Sequence, residues 1–155
     1  MKKSLIILGA GGHGRVVKET AEAMEKYDDI KFLDDDIKNT RISGTLNDYG
    51  KYKGDNVDFF IALGNSELRK KWNMILKSEK INIPNLIHPM AYVSPSVELG
   101  YGNVICAMSA INSNVIIGNQ CIVGMGALID HDAVIKEYSH INCGVVVKAR
   151  EIIKI

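Results

Sequence analysis

The stretch from Val115 to Ile141, VIIGNQCIVGMGALIDHDAVIKEYSHI, carries Ile117, Val123, Ile129, Ile135 and Ile141 six residues apart. The same register runs outward without a break, back through Ile111, Ile105, Leu99 and Val93 to Ile87, and on through Val147 to Ile153. Ile, Leu and Val make up 24 of the 70 residues from Leu86 onward. With all six registers allowed, twelve such hits in one of them have a chance of about one in a hundred thousand. Neither the helical nor the strand period produces a repeat of six. A hexapeptide β-helix does, because each six-residue step is one short face of a coil whose aliphatic residue points at the axis.

A second slot supports the coil. Four residues after each aliphatic stand Ala91, Val97, Asn103, Ser109, Val115, Cys121, Ala127, Ala133, Ser139 and Val145, all small or medium. Stacked corners of a narrow coil leave little more room than that. Gly100, Gly118 and Gly124 directly follow their aliphatics, where positive φ is expected.

Composition bounds the rest. The chain has 155 residues and a formal net charge of +1, which gives no electrostatic footprint for nucleic acid or an anionic membrane. Its 46% hydrophobic and 24% charged content is ordinary for globular domains, one large or two small. The first apolar run, Ser4 to Ala10, is too short to span a bilayer and lacks a signal-peptide pattern. A cytoplasmic protein without membrane insertion is therefore expected. Cys106, Cys121 and Cys143 form no CxxC, and their repeat positions point to packing.

Residues 1–85 precede the repeat and form a separate unit, with the β-helix over 86–155 and a hinge at Asn82 to Pro84. Lys3 to Gly9, Ile30 to Leu33 and Val57 to Leu63 are predicted strands; Gly14 to Lys26 and Ser66 to Lys80 are predicted helices, the second capped by Asn65 or Ser66. Strands alternating with helices imply a parallel sheet, here a small Rossmann-like domain. Gly9 to Gly14 satisfies GxGxxG between a strand and a helix, with Asp34, Asp35 and Asp36 about twenty residues on. Such a loop suits a phosphate-bearing ligand, whose charge the free amides and the helix N-terminus stabilise. About 85 residues favour a mononucleotide over NAD. The acids suit a sugar or ribose, or else a solvated turn. His13 is open to two roles, a phosphate contact or a helix cap. Gly64 and Asn65, at a second strand-to-helix junction, are placed to contact a base or sugar, whereas Arg69 reads as solvated or salt-bridged.

Within the repeat, Asp130-His131-Asp132 is a polar insertion, and His140 follows nine residues after His131. Histidine suits general-base work near neutral pH, and a carboxylate orients it and stabilises its protonated form. Two exposed histidines on a polar face are the plainer alternative. No HxH or HxxxH spacing is present, so no metal is expected.

The GAGGHG, FLDDD, IALGNSELRKK, IHPMAYVSPSVELGYG and IDHDAVI stretches together resemble bacterial left-handed β-helix acyltransferases. More narrowly, they resemble nucleotide-sugar N-acetyltransferases and the related sialic-acid O-acetyltransferases, over essentially the whole chain. The resemblance implies a homotrimer with active sites between neighbouring β-helices, acetyl-CoA as co-substrate, and a UDP-amino sugar as acceptor in glycan biosynthesis. It places the UDP-sugar on Gly11, Gly12, His13, Asp35, Asp36, Gly64 and Asn65, the catalytic base on His131 with Asp132 behind it, and an acetyl-CoA contact on His140. Direct transfer is implied, with no acyl-enzyme. The sequence departs from the pattern at Gly124 and Met125, where relatives commonly carry Asn-Thr, and at Lys136, where glycine is usual. The family normally continues for several hexapeptides beyond the point matching Ile155, so the repeat reads as truncated. Two alternatives follow, a sialic-acid O-acetyltransferase and a non-catalytic nucleotide-sugar-binding or assembly subunit.

Overall fold

The structure, a computed structural model, describes residues 3–154. The chain divides into two compact units, Met1–Pro84 and Asn85–Ile155. In the first, β1 (Lys3–Leu8), β2 (Tyr27–Leu33), β3 (Ile42–Gly44) and β4 (Val57–Ile61) form a parallel sheet in the order β3-β2-β1-β4. α1 (Gly12–Ala23) joins β1 to β2, a 3-10 segment over Leu46–Tyr52 precedes β4, and α2 (Ser66–Ser78) follows it. β1 has a partner on each side, and its residues Leu5, Ile6, Ile7 and Leu8 are all buried. An unbroken apolar run is what a central parallel strand requires. α1 buries Gly14, Val17, Thr20 and Ala21, and α2 buries Arg69, Trp72, Asn73 and Leu76, both at helical spacing.

Element limits differ from the sequence expectation for identifiable reasons. α1 begins at Gly12 and stops at Ala23, because Glu25 turns to φ 54°. α2 stops at Ser78, two residues before Lys80 at φ 57°. β2 reaches back to Tyr27 through the acidic Asp28 and Asp29. Pairing with β1 holds that stretch, and the Tyr27 hydroxyl donates to the buried Asp58 carboxylate at 3.0 Å. Asp58 also accepts from Lys3 Nζ at 3.0 Å and from Asn82 Nδ2 at 2.7 Å. Burial beside that carboxylate pushes the Tyr27 phenol well above its ordinary range. β3 and the 3-10 segment carry no periodic pattern in the sequence; they form because the edge of β2 and the Asp48 cap support them.

Among the described residues, the second unit is a β-helix of twelve two-residue strands on three faces, each coil eighteen residues long. Leu86–Ile87, Val104–Ile105, Ile122–Val123 and His140–Ile141 form the first face. Tyr92–Val93, Ala110–Ile111, Leu128–Ile129 and Val146–Val147 form the second. Glu98–Leu99, Ile116–Ile117, Val134–Ile135 and Ile152–Ile153 form the third. The second residue of each strand is the ladder aliphatic, and these residues pack with the small corner residues into one core. Asn103 in a small slot is fully buried because it replaces missing backbone partners: its Oδ1 accepts from Cys121 N at 2.7 Å, and its own N–H donates to Asn85 Oδ1 at 2.9 Å. Val145, in the last such slot, is exposed.

The glycines after the ladder residues are required for a different reason from the one expected. A Cβ on Gly118 would lie 2.7 Å from Glu137 N, and one on Gly124 would lie 2.6 Å from Cys143 N, so the next coil leaves no room. Positive φ falls two residues later, at Gly102, Met108, Asn114, Gln120, Gly126, Asp132, Tyr138, Gly144 and Arg150, with angles of 57° to 69°. Six of these nine are not glycine, and each such residue bears a cost of about 1–2 kcal/mol that the coil must offset. Cys106 and Cys121 are buried as packing residues, but Cys143 is exposed. Among the described residues no helix is long and apolar enough to cross a membrane.

Ile129 is 1% exposed and stacks between Ile111 and Val147. Ile129→Ala is expected to lower the unfolding free energy by about 2–5 kcal/mol, measured by urea denaturation. A loss below about 1 kcal/mol would mean that the ladder is not the core of this unit.

Candidate functional site

Three loops of the first unit leave the carboxyl ends of the adjacent strands β2, β1 and β4, the edge at which open parallel sheets bind ligands. The first is the glycine loop after β1. Gly9 has φ +112°, and a Cβ there would meet Ala62 O at 2.6 Å; one on Gly14 would meet Gly9 O at 2.1 Å. These two glycines serve the protein's own packing. Gly11 and Gly12 do not: a Cβ on Gly11 meets nothing within 4 Å, and one on Gly12 meets only the Arg15 guanidinium at 3.9 Å. Gly11 is the N-cap residue of α1, Gly12 and His13 open the helix, and the first turn carries no acid. The helix dipole at these exposed glycines is thus not offset by a carboxylate in that turn, and an anion brought there is stabilised. His13 is half-buried, in the first turn rather than at the cap position.

The second loop follows β2, and its centre is Asp34. One carboxylate oxygen accepts from Ala10 N at 2.7 Å and the other from Asp36 N at 2.8 Å, so a single side chain ties the glycine loop to the acidic turn. Asn39 Nδ2 adds a bond to Ala10 O at 3.1 Å. Asp35 and Asp36 are exposed, and each already accepts one backbone N–H, from Leu46 at 3.0 Å and from Lys38 at 3.1 Å. Ionised carboxylates have further acceptor capacity, so both remain able to take sugar hydroxyls.

The third loop follows β4. Gly64 is exposed, and a Cβ there meets nothing within 4 Å. Asn65 caps α2, its Oδ1 accepting from Leu68 N at 3.0 Å. Arg69 overturns the expectation of a solvated side chain. It is 1% exposed and donates from Nη1 to the carbonyls of Leu63 at 2.9 Å and Gly64 at 2.8 Å. Its place in the 69, 72, 73, 76 stripe was the signal that it belongs to the buried face of α2. The sheet therefore brings Gly11, Gly12, His13, Asp35, Asp36, Gly64 and Asn65 to one edge, held there by Asp34 and Arg69, whose part in holding the loops the sequence did not show.

On the β-helix, His131 lies in the turn between the second and third faces. Its Nδ1 is 2.7 Å from Asp132 Oδ2, its backbone N–H donates to Asp130 Oδ1 at 2.7 Å, and Asn112 Nδ2 donates to the same Asp130 oxygen at 3.0 Å. The hydrogen bond from His131 holds the Asp132 carboxyl below its ordinary range; for Asp130 the same effect comes first from the His131 backbone N–H and then from Asn112. Because both are lowered, what the two ionised carboxylates contribute through these hydrogen bonds is fully present above the ordinary carboxylate range and is lost as pH falls through the depressed values. Asp132 occupies one of the positive-φ corner positions, a conformation that Asp tolerates better than most residues. His140 is the outward residue of the last strand on the first face, so within one chain it shares no face or corner with His131.

The PglD N-terminal domain family model matches residues 4–76. A UDP-N-acetylbacillosamine N-acetyltransferase from Bacillus subtilis (strain 168) is 34% identical over 113 residues; the match covers 68% of this chain but 52% of that protein, so the chain spans about half its length. Among solved structures, the acetyltransferase domain of PglB from Neisseria gonorrhoeae FA1090 superposes with a TM-score of 0.87 and 32% identity, covering 94% of this chain and 73% of that one. Its complex with acetyl coenzyme A superposes at 0.83. A histidine-to-alanine mutant of GDP-perosamine N-acetyltransferase from Caulobacter crescentus, solved with CoA and GDP-perosamine, gives 0.80 at 30% identity, with coverage of 88% and 67%.

Asp34→Ala leaves the Ala10 and Asp36 N–H groups without their acceptor. It is expected to cost about 1–3 kcal/mol of stability by urea denaturation. An unchanged midpoint would show that the two loops are held by other contacts.

Proposed function

We propose, for a chain that belongs to the hexapeptide-repeat family of nucleotide-sugar N-acetyltransferases, that it moves the acetyl group of acetyl-CoA onto the amine of a UDP-linked amino sugar. The observation that carries this is the His131–Asp132 pair at 2.7 Å on an exposed corner of the β-helix. Nδ1 is engaged by the carboxylate, which leaves Nε2 as the nitrogen for substrate. His131 Nε2 takes a proton from the sugar amine as its nitrogen attacks the thioester carbonyl. A C–N bond forms, the C–S bond breaks, and CoA leaves as its thiolate. Asp132, kept ionised by its hydrogen bond to His131, stabilises the imidazolium that results. Holding both substrates in place supplies much of the rate, so no covalent acyl-enzyme is needed.

The first unit is read as a Rossmann-like nucleotide-binding domain, with the phosphates at Gly11, Gly12 and His13 and the sugar or base at Asp35, Asp36, Gly64 and Asn65. Its support is the convergence of three loops at one sheet edge and the open approach to Gly11, Gly12 and Gly64. His140 is assigned to acetyl-CoA. Since His131 and His140 stand on different parts of one coil, a site containing both is built from neighbouring chains, in line with a homotrimer. The second face suits such an interface. Tyr92, Leu128 and Val146 are 58%, 47% and 61% exposed and line a groove of about 440 Å³ with Ala110, Asn112 and Asp130. Side-by-side apolar exposure of this kind marks a contact surface.

With acetyl-CoA and a UDP-4-amino sugar, the protein is expected to release free thiol, and His131→Ala to lower the rate by about 10²–10⁴-fold. Asp132→Asn keeps the side chain's shape without its charge and should lower the rate by a smaller factor. Thiol release unaffected by His131→Ala would end the general-base assignment. Replacing UDP by GDP in the acceptor tests the nucleotide.

Leu128→Asp places a charge in the centre of the second face. Light scattering coupled to size exclusion is expected to show trimers for the wild-type chain and monomers for this variant. A variant that stays trimeric would remove that face as the interface.

A further inference from the structure

We propose that Arg69 is the positioning residue of the β4–α2 loop, and that by drawing two consecutive carbonyls inward it presents the Gly64 and Asn65 amides to an acceptor oxygen of the nucleotide. The proposal rests on the reading of the first unit as a nucleotide site. Its physical basis is the planar trans peptide, in which C=O and the following N–H point in opposite directions. No peptide among the described residues is cis. One terminal nitrogen of the buried guanidinium donates to Leu63 O at 2.9 Å and to Gly64 O at 2.8 Å. Those carbonyls belong to the same peptide planes as the N–H groups of Gly64 and Asn65. With both carbonyls held by a side chain that is 1% exposed, both N–H groups face away from the guanidinium.

Two further observations favour the backbone over the side chains as the contact. The Asn65 Oδ1 is already used to cap α2 through Leu68 N. At Gly64 a Cβ would meet nothing within 4 Å, so a ligand oxygen can come within hydrogen-bonding reach of the main chain. Arginine suits the task because its planar, charged fork holds both carbonyls in a fixed geometry. It also explains why a charged residue occupies a slot on the buried stripe of α2 beside Trp72, Asn73 and Leu76.

The test uses the full chain, UDP as the probe, and the variants Arg69→Met and Arg69→Lys. Calorimetry is expected to show UDP binding weakened at least tenfold by Arg69→Met and partly restored by Arg69→Lys, which keeps a charged donor without the planar fork, with acetyl-CoA affinity within twofold of wild type in both. In the wild-type chain, the amide resonances of Gly64 and Asn65 should shift on adding UDP. A folded Arg69→Met protein that binds UDP as wild type does overturns the proposal. If Arg69→Met does not fold, the wild-type amides still decide, because resonances that stay unmoved while UDP binds also overturn it. A wild-type chain that binds no UDP removes the nucleotide reading and this proposal together, whereas the two preceding results remove this proposal alone.

Discussion

Each coil of the second unit must return to its starting face after eighteen residues, and the constraint that makes it do so is the left-handed backbone at every sixth residue from Gly102 to Arg150. Only three of those nine corners are glycine, so most of the turns carry conformational strain. What offsets it is cooperative: each ladder aliphatic is buried against its counterparts one coil away, and the strand bonds between coils repeat with it. The candidate catalytic pair is a product of the same constraint. Asp132 is one of the left-handed corner residues, and the carboxylate it carries meets the ring of the residue before it.

The first unit solves a different problem. Its loops leave three adjacent strands, and in the proposed function they keep their amides available to a ligand without collapsing onto each other. Side chains hold them by their backbones. Asp34 clasps the glycine loop and its own turn, Asn39 takes the Ala10 carbonyl, and Arg69 takes those of Leu63 and Gly64. Loops held this way would have little left to order on binding the proposed ligand, which is the condition for binding without a large entropic cost.

How much was legible depended on whether the signal was local. The ladder was, because a β-helix repeats one short environment and each copy confirms the rest. The histidine between two acids was as well, since adjacent residues meet without help from the fold. Strand limits were not, because β2 extends through Asp28 and Asp29 only where β1 offers a partner. Glycine roles were misjudged for the same reason: Gly118 and Gly124 answer to Glu137 and Cys143 of the neighbouring coil, nineteen residues away in sequence. Asp34 was read with its neighbours as a sugar-binding acid or a solvated turn, and Arg69 as a solvated or salt-bridged cation, because the backbone groups they hold come within reach only in the folded chain.

By itself, then, the amino-acid sequence determined the period of the coil, the residues that fill it, and the chemical types present at the candidate sites. Those follow from patterns that neighbouring residues carry in common. Tertiary structure alone decided which of them meet. It put three loops on one sheet edge, buried an arginine beneath one of them, and set His131 and His140 on different parts of the coil. The physical reason is that hydrogen bonds and burial act between groups close in space, and the chain brings distant segments together only when it folds.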